Sequence, residues 1–155
     1  RADGSLVAWG QNDYGQRDVP PGNDFVAISA GSLHSLALKS DGSLAAWGLN
    51  HQGSCDVPPG NDFVAIAAGG LHSLALRADG SLAAWGENYY GQCAVPSGND
   101  FVAIEGGIMH SLALRADGSL VCWGDNAQGQ CDVPLGNDFV AIEGGADYSV
   151  ALIAY

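Results

Sequence analysis

Positive charge is scarce in this sequence: Lys and Arg total 5 against 17 Asp and Glu, for a formal net charge of −12. A nucleic-acid-binding chain needs a basic stripe to neutralise phosphates, and Arg1, Arg17, Lys39, Arg77 and Arg115 are too few and too scattered to make one. Long apolar runs are missing too. Nothing approaches the roughly 20 residues of a membrane-spanning helix, and no basic-then-apolar leader opens the chain. Neither a nucleic acid nor a membrane is expected as a partner. No segment keeps a 3.6-residue apolar period for more than one turn, which argues against helices. Paired Cys-x-x-Cys spacing is absent, as is any unrepeated set of nucleophile, base and orienting acid. Zinc, cofactor and enzymatic chemistry are therefore not expected.

What is present is repetition. Trp9, Trp47, Trp85 and Trp123 each close a Leu-(Val/Ala)-(Ala/Cys)-Trp-Gly run, 38 residues apart, and four copies account for nearly all of the 155 residues. The 23 Gly and 6 Pro recur in register with the repeat as turn punctuation. Asp-Gly pairs at Asp3-Gly4, Asp41-Gly42, Asp79-Gly80 and Asp117-Gly118 separate apolar runs, as in a hairpin closed by a type I′ turn. In the second copy the strands read His34 to Leu38 and Ser43 to Trp47, with a third at Asp24 to Ile28 and a short fourth near Asp18-Val19-Pro20. Alternate residues of Phe25-Val26-Ala27-Ile28 are all apolar, so each small sheet is expected to bury both faces against neighbours. The fold class expected is an all-β propeller of 38-residue, four-stranded blades, in one repeat domain spanning residues 1–155.

The motifs Ala-Gly-x-x-His-Ser-Leu-Ala-Leu, Asp-Gly-Ser-Leu-x-x-Trp-Gly-x-Asn-x-x-Gly-Gln and Val-Pro resemble the repeat of the regulator of chromosome condensation family. They are similar, closer still, to propeller-type secreted bacterial β-lactamase inhibitor proteins. The resemblance implies seven-bladed relatives, an inner strand at Phe25 to Ser29, and secretion from a bacterium. This chain has four repeats and no insertion comparable to the nucleotide-exchange loop of the eukaryotic regulator, so exchange activity is not expected.

His34, His72 and His110 each precede a serine, with Tyr148 in the fourth position. A catalytic group is needed once and a structural hydrogen bond in every blade, so these histidines are expected to tie blades together. The tryptophans are expected to pack between blades. Cys55, Cys93 and Cys131 share one column and Cys122 sits in another. Free, mostly buried thiols are expected, with Cys122 and Cys131 the one pair sharing a blade. The repeated Asn-Asp pairs read as Asx turns rather than calcium ligands.

Function is sought where the copies differ, in the loop after Trp-Gly and in the turn after the inner strand. The candidate binding residues are Asp13, Tyr14, His51, Glu87, Tyr89, Tyr90 and Asp125 from the first set, and Glu105, Met109, Glu143 and Asp147 from the second. Tyrosines and carboxylates on a rigid frame suit a protein-binding face. The leading expectation is a non-enzymatic scaffold for protein interaction. A self-assembling structural module, whether a fragment or an engineered amplification, and a glycan-binding propeller are the alternatives. The terminal strands read as halves of one blade, from which a homodimer sharing an eight-bladed ring is expected.

Overall fold

A computed structural model describes residues 3–154; Arg1 and Ala2, placed in the first hairpin turn by the sequence reading, and Tyr155 lie outside the described residues. Eleven strands run in chain order: β1 Phe25–Ala30, β2 His34–Lys39, β3 Leu44–Gly48, β4 Phe63–Ala68, β5 His72–Arg77, β6 Leu82–Gly86, β7 Phe101–Gly106, β8 His110–Arg115, β9 Leu120–Gly124, β10 Phe139–Gly144 and β11 Ser149–Ile153. They form three antiparallel three-stranded sheets, β1-β2-β3, β4-β5-β6 and β7-β8-β9, and a two-stranded sheet, β10-β11. Successive sheets stack face to face, β2 against β4, β5 against β7 and β8 against β10, while β1, β4, β7 and β10 form the inner row.

Four expectations need correction. The fourth strand near the Val-Pro pairs is irregular backbone. Its amides are used locally: Val19 N donates to Arg17 O at 2.9 Å and Arg17 N to Asn12 Oδ1 at 2.8 Å, and Pro20 has no N–H for a ladder. The Asp-Gly hairpins are not type I′, because only the glycine has positive φ. Gly42 N donates to Lys39 O and Lys39 N to Ser43 O, so Ser40 and Asp41 make the turn and Gly42, at φ +82°, takes the left-handed bulge position. A Cβ there would sit 2.2 Å from Asn61 O.

The inner strands do not bury both faces. Phe25, Phe63, Phe101 and Phe139 are buried, but a β-bulge follows each, and Val26, Val64, Val102 and Val140 point to solvent. Finally, Cys122 and Cys131 form a disulfide, with Cα atoms 5.0 Å apart. In the second and third copies Ala46 and Ala84 stand where Cys122 does, leaving Cys55 and Cys93 as free thiols.

The apolar core lies between sheets. Leu74, Leu76, Phe101, Ile104 and Ala113 pack together with Trp123 at their margin, and Leu38, Phe63 and Ala75 do the same with Trp85 one junction earlier. A repeated polar junction accompanies each cluster. Ser73 Oγ donates to Ser54 O, and Trp85 Nε1 donates to the same carbonyl, both at 2.9 Å. Gln92 O receives Ser111 Oγ at 2.8 Å and Trp123 Nε1 at 2.9 Å; Gln16 O receives Ser35 Oγ at 3.1 Å and Trp47 Nε1 at 2.9 Å.

The histidine of the preceding sheet completes the set: His34 Nε2 lies 2.9 Å from Ser73 Oγ, His72 Nε2 2.9 Å from Ser111 Oγ, and His110 Nε2 3.0 Å from Ser149 Oγ. A histidine thus bonds the serine of the next copy, not the serine beside it in sequence. Each serine has given its one proton to a carbonyl, so the imidazole must be the donor, which fixes the neutral Nε2–H tautomer. Gly31, Gly69 and Gly107 make room for the rings; a Cβ at Gly69 would lie 2.1 Å from His72 Cε1.

Trp85→Ala is expected to lower unfolding stability by about 3 kcal/mol, since it removes an aromatic side chain from the junction and leaves one donor fewer on Ser54 O. Equilibrium denaturation reads this directly. A variant that unfolds at the same midpoint as the parent would show that the indole carries no part of the junction.

Candidate protein-binding face

Strand register decides where the variable positions go. His34 pairs with Gly48, His72 with Gly86 and His110 with Gly124, so the turn between the first two strands of a sheet and the loop after its third strand emerge at the same end. Backbone bonds stitch them together: Leu49 N donates to Leu33 O, Glu87 N to Leu71 O and Asp125 N to Met109 O, at 2.9 to 3.0 Å. Both variable sets therefore lie at one end of the sheets. The Asp-Gly turns and Asn-Asp pairs, which do not vary among the copies, lie at the other.

Each loop after Trp-Gly is organised by one asparagine. Asn50 Oδ1 accepts from Cys55 N at 2.7 Å and its Nδ2 donates to Asp56 Oδ1 at 2.8 Å; Asn126 makes the same pair with Cys131 N and Asp132 Oδ1. A buried glutamine supports the loop tip in two copies. Gln92 Oε1 accepts from Tyr90 N at 2.9 Å, and Gln130 Oε1 from Gln128 N at 2.9 Å. Their amide groups reach Glu87 Oε2 at 3.5 Å and Asp125 Oδ2 at 3.0 Å. Two of the candidate carboxylates, both half-buried, thus hold loop geometry.

Tyr14, Tyr89 and Tyr90 are exposed, Tyr89 most at 73%. Tyr89 OH accepts from Gln52 Nε2 at 2.8 Å, linking the loops of neighbouring copies. Gln52 is the one non-glycine residue with positive φ among the described residues, at 71°. His51 and Asp13 are exposed, and Asp13 Oδ2 accepts from Gln11 Nε2 at 2.6 Å. Met109 is half-buried and Asp147 exposed. Glu105 and Glu143 occupy corresponding positions near the ends of the inner strands β7 and β10. Burial, with the Glu143 charge beside it, pushes the Glu105 carboxyl up to about 7.

Carboxylates stand at both ends, Asp41, Asp79 and Asp117 among them at the Asp-Gly end, but the cations are divided unevenly. Lys39, Arg77 and Arg115 sit at the Asp-Gly end, where they pair with Asp24, Asp62 and Asp100; the first two pairs close at 3.6 and 2.7 Å. The same cations lie over the rings of Phe25, Phe63 and Phe101, at 5.7, 4.5 and 4.4 Å from the centroids. The variable end carries Asp13, Glu87, Glu105, Asp125, Glu143 and Asp147, with Arg17 the one Lys or Arg on its loops among the described residues. Among the described residues no three His, Cys, Asp or Glu side chains are arranged to hold a metal ion.

The description "Regulator of chromosome condensation (RCC1) repeat" matches residues 25–54, 63–92 and 101–130. The chain belongs to the RCC1 repeat family. Among curated proteins no sequence matches it, and the likeness to secreted β-lactamase inhibitors gains no support there. Solved structures are similar to it. The ectodomain of the Physcomitrella patens receptor kinase CR4 is 27% identical, with a TM-score of 0.73 over 86% of this chain and 40% of that one. The CRINKLY WD40 ectodomain of the Arabidopsis thaliana receptor kinase ACR4 is 25% identical, TM-score 0.67, over 84% and 46%. Saccharomyces cerevisiae Prp20p, in a study of its binding to Gsp1p and histones, is 20% identical, TM-score 0.78, over 92% and 50%. The RCC1-repeat chain spans half or less of the length of these relatives.

Within this RCC1-repeat frame the structure brings some candidates together and leaves others apart. Glu105 meets Glu143, and Asp125 and Asp147 both act on His110. Asp13 and Tyr14 belong to the first copy, at the other end of the array from Asp147. The set is spread over the loops and turns of all four copies. The turns of the four copies surround a shallow depression of about 350 Å³ floored by glycine and alanine backbone, including Gly31, Gly69, Gly107 and Gly145. The sequence reading assigned no role to the loop asparagines or to Gln92 and Gln130. Their recurrence after Trp-Gly was visible, with Ser54 in place of the glutamine in the second copy, but a recurrent polar residue in a loop does not announce which backbone it holds.

Burial holds His34 and His72 at about 4 and lowers His110. An unfolded histidine titrates near 6.5, so between about 6.5 and 4 the unfolded state binds more protons. The stability from keeping each ring neutral is fully present above 6.5 and is lost as pH falls toward 4, by about 3 kcal/mol each for His34 and His72. Glu105 acts in the opposite sense, since its raised carboxyl favours the folded chain at low pH, between about 7 and 4.5. The histidines outnumber it. Tm is expected to fall between pH 7 and pH 4.5 and to fall less steeply in His72→Gln. A flat profile in the parent would mean the rings are not buried neutral.

Proposed function

We propose that this RCC1-repeat chain is a non-enzymatic scaffold that holds a basic protein segment on its variable face. The observation that carries this reading is that variability and exposed tyrosines fall at the end from which every described Lys and Arg but Arg17 is withdrawn. Lys39, Arg77 and Arg115 are committed to aspartates at the invariant end, while the six candidate carboxylates share the other end with exposed Tyr14, Tyr89 and Tyr90. Lysines and arginines of a partner would find Coulombic complementarity there, and the tyrosines supply contact area with little rotamer entropy to lose. The loops that present them are fixed by asparagine and glutamine side chains, so little ordering remains to be done on binding. The fold hosts protein partners elsewhere: Prp20p has been studied for binding Gsp1p and histones, and crystallised with Kap60.

With a partner captured on the immobilised chain, carbodiimide cross-links from partner lysines are expected at Asp13, Glu87, Asp125 and Asp147. Links concentrated at Asp41, Asp79 and Asp117 would place the partner on the opposite end and sink the reading. Alanine at both Tyr89 and Tyr90 is expected to weaken binding at least about 5-fold, near 1 kcal/mol. Affinity unchanged by that pair removes this face from consideration.

A further inference from the structure

Residues 120–131 repeat the plan of 44–55 and 82–93: a third strand, Trp-Gly, and a loop that ends on cysteine. In the strand they differ at Cys122, which stands where Ala46 and Ala84 do, and that changes what the loop cysteine does. Cys55 Sγ donates to Leu49 O at 3.6 Å and Cys93 Sγ to Glu87 O at 3.2 Å, each reaching the carbonyl six residues back. Cys131 is bonded to Cys122 instead, with Cα atoms 5.0 Å apart. The backbone around the three cysteines is nevertheless held alike. The amides of Cys55, Cys93 and Cys131 donate to Oδ1 of Asn50, Asn88 and Asn126 at 2.7, 2.8 and 2.7 Å. Asp125 therefore offers its carbonyl in the place of those of Leu49 and Glu87, to a cysteine whose sulfur is turned elsewhere.

We propose that the Cys122–Cys131 bond is a redox switch on the variable face, and that reduction lets Cys131 exchange Cys122 Sγ for the carbonyl of Asp125. Three observations carry this. A bond needed for folding would recur in every copy, as the serine and tryptophan donors do, yet the second and third copies are built on the same plan without it. Both sulfurs have acceptors ready once they carry protons: Cys122 Sγ lies 3.6 Å from Gln130 O, and Asp125 O is the counterpart of the carbonyls that Cys55 and Cys93 use. Both cysteines are half-buried rather than sealed in the core, at the end of the sheet where the loops meet solvent.

The chemistry needs a dithiol reductant from outside the chain. Its thiolate attacks Cys131 Sγ, the S–S bond breaks, and the electron pair leaves on Cys122 Sγ, which takes a proton. The reductant's second thiol then displaces Cys131, which is protonated in turn, and the reductant departs as its own disulfide. Cys55 and Cys93 do not supply that thiolate. Burial raises both, Cys93 to about 11, so each stays a thiol at neutral pH. Asp125 lies inside the loop so released, with Gln130 Nε2 on its carboxylate at 3.0 Å, and Ser149 of β11 donates to Gln130 O at 2.8 Å. Reduction thus loosens a candidate binding carboxylate together with a contact between the third and fourth sheets. The switch does not rest on the partner reading above, and its test contains no partner.

Hydrogen exchange of the full chain is followed in oxidised and in reduced dithiothreitol, with thiols counted by maleimide labelling after a denaturing quench. Two labels are expected in the oxidised buffer and four in the reduced. Amides 125–131 are expected to exchange about tenfold faster after reduction, with β5 and β8 unchanged. Cys122→Ala, which gives the fourth copy the alanine of the second and third, is expected to stay folded and to show the faster rate in both buffers. Ala84→Cys is expected to form the same bond with Cys93 and to slow amides 87–93 in the oxidised buffer alone. Four labels in the oxidised buffer, or equal exchange at 125–131 in the two buffers, overturns the switch. Exchange that accelerates through every strand on reduction, or a Cys122→Ala chain that does not fold, makes the bond a requirement of folding and overturns it as well.

Discussion

One loop carbonyl per junction bears the organisation of this chain. Ser54 O receives a hydroxyl from Ser73 and an indole N–H from Trp85, and the hydroxyl is capped by His34 from the sheet before. Both lone pairs of one acceptor are thereby used by the neighbouring sheet, at a depth where an unmet donor would cost about 1–3 kcal/mol. The apolar clusters around Phe63 and Phe101 supply most of the burial energy, but apolar contact alone would tolerate sliding. The polar set permits one alignment. Stability is therefore nearest-neighbour in character, each sheet being fixed by the one before and the one after.

A consequence is that the two ends of the sheets are free to differ. The Asp-Gly end is bound up with chain reversal: its aspartates accept from the serine two residues on, its glycines cannot carry a side chain, and its cations cover the phenylalanine rings. Changing those aspartates or glycines would disturb a turn, and losing the cations would uncover a core aromatic. At the other end the backbone is held by Asn50, Asn126 and their equivalents, with Gln92 and Gln130, so exposed residues such as His51 and Ala127 carry little of the folding duty. Variation among the copies collects where it is structurally cheapest. That is also where a partner would meet it.

The period, three strands of each repeat and the identity of the variable positions were legible in the sequence, because each recurs with a fixed spacing. The histidines and tryptophans were read as structural for the same reason. What could not be read was the partner of each group across space. The hydrogen bond from His34 goes to Ser73, 39 residues on, and not to the adjacent Ser35; only the stacking of sheets decides that. The bulge after Phe25 turns Val26 outward although its strand alternates apolar residues on both faces. The disulfide joins the one pair recognised in the sequence as sharing a blade, Cys122 and Cys131, although free thiols were expected; only the 5.0 Å between their Cα atoms decides that the two positions meet. The segregation of the cations needed the register: in sequence, Arg77 and Glu87 stand ten residues apart and look mixed.

The Cys122–Cys131 bond gives one of the four presenting loops a different thermodynamic standing. Residues 123–130 form a closed covalent ring that includes Asp125 and Ala127, whereas the loops bearing Cys55 and Cys93 are held by a thiol hydrogen bond to the carbonyls of Leu49 and Glu87. A ring has fewer conformations to surrender when a ligand clamps it. The fourth loop enters any complex with part of its ordering entropy already removed, and the ambient thiol–disulfide potential, rather than any contact with the ligand, sets how large that part is.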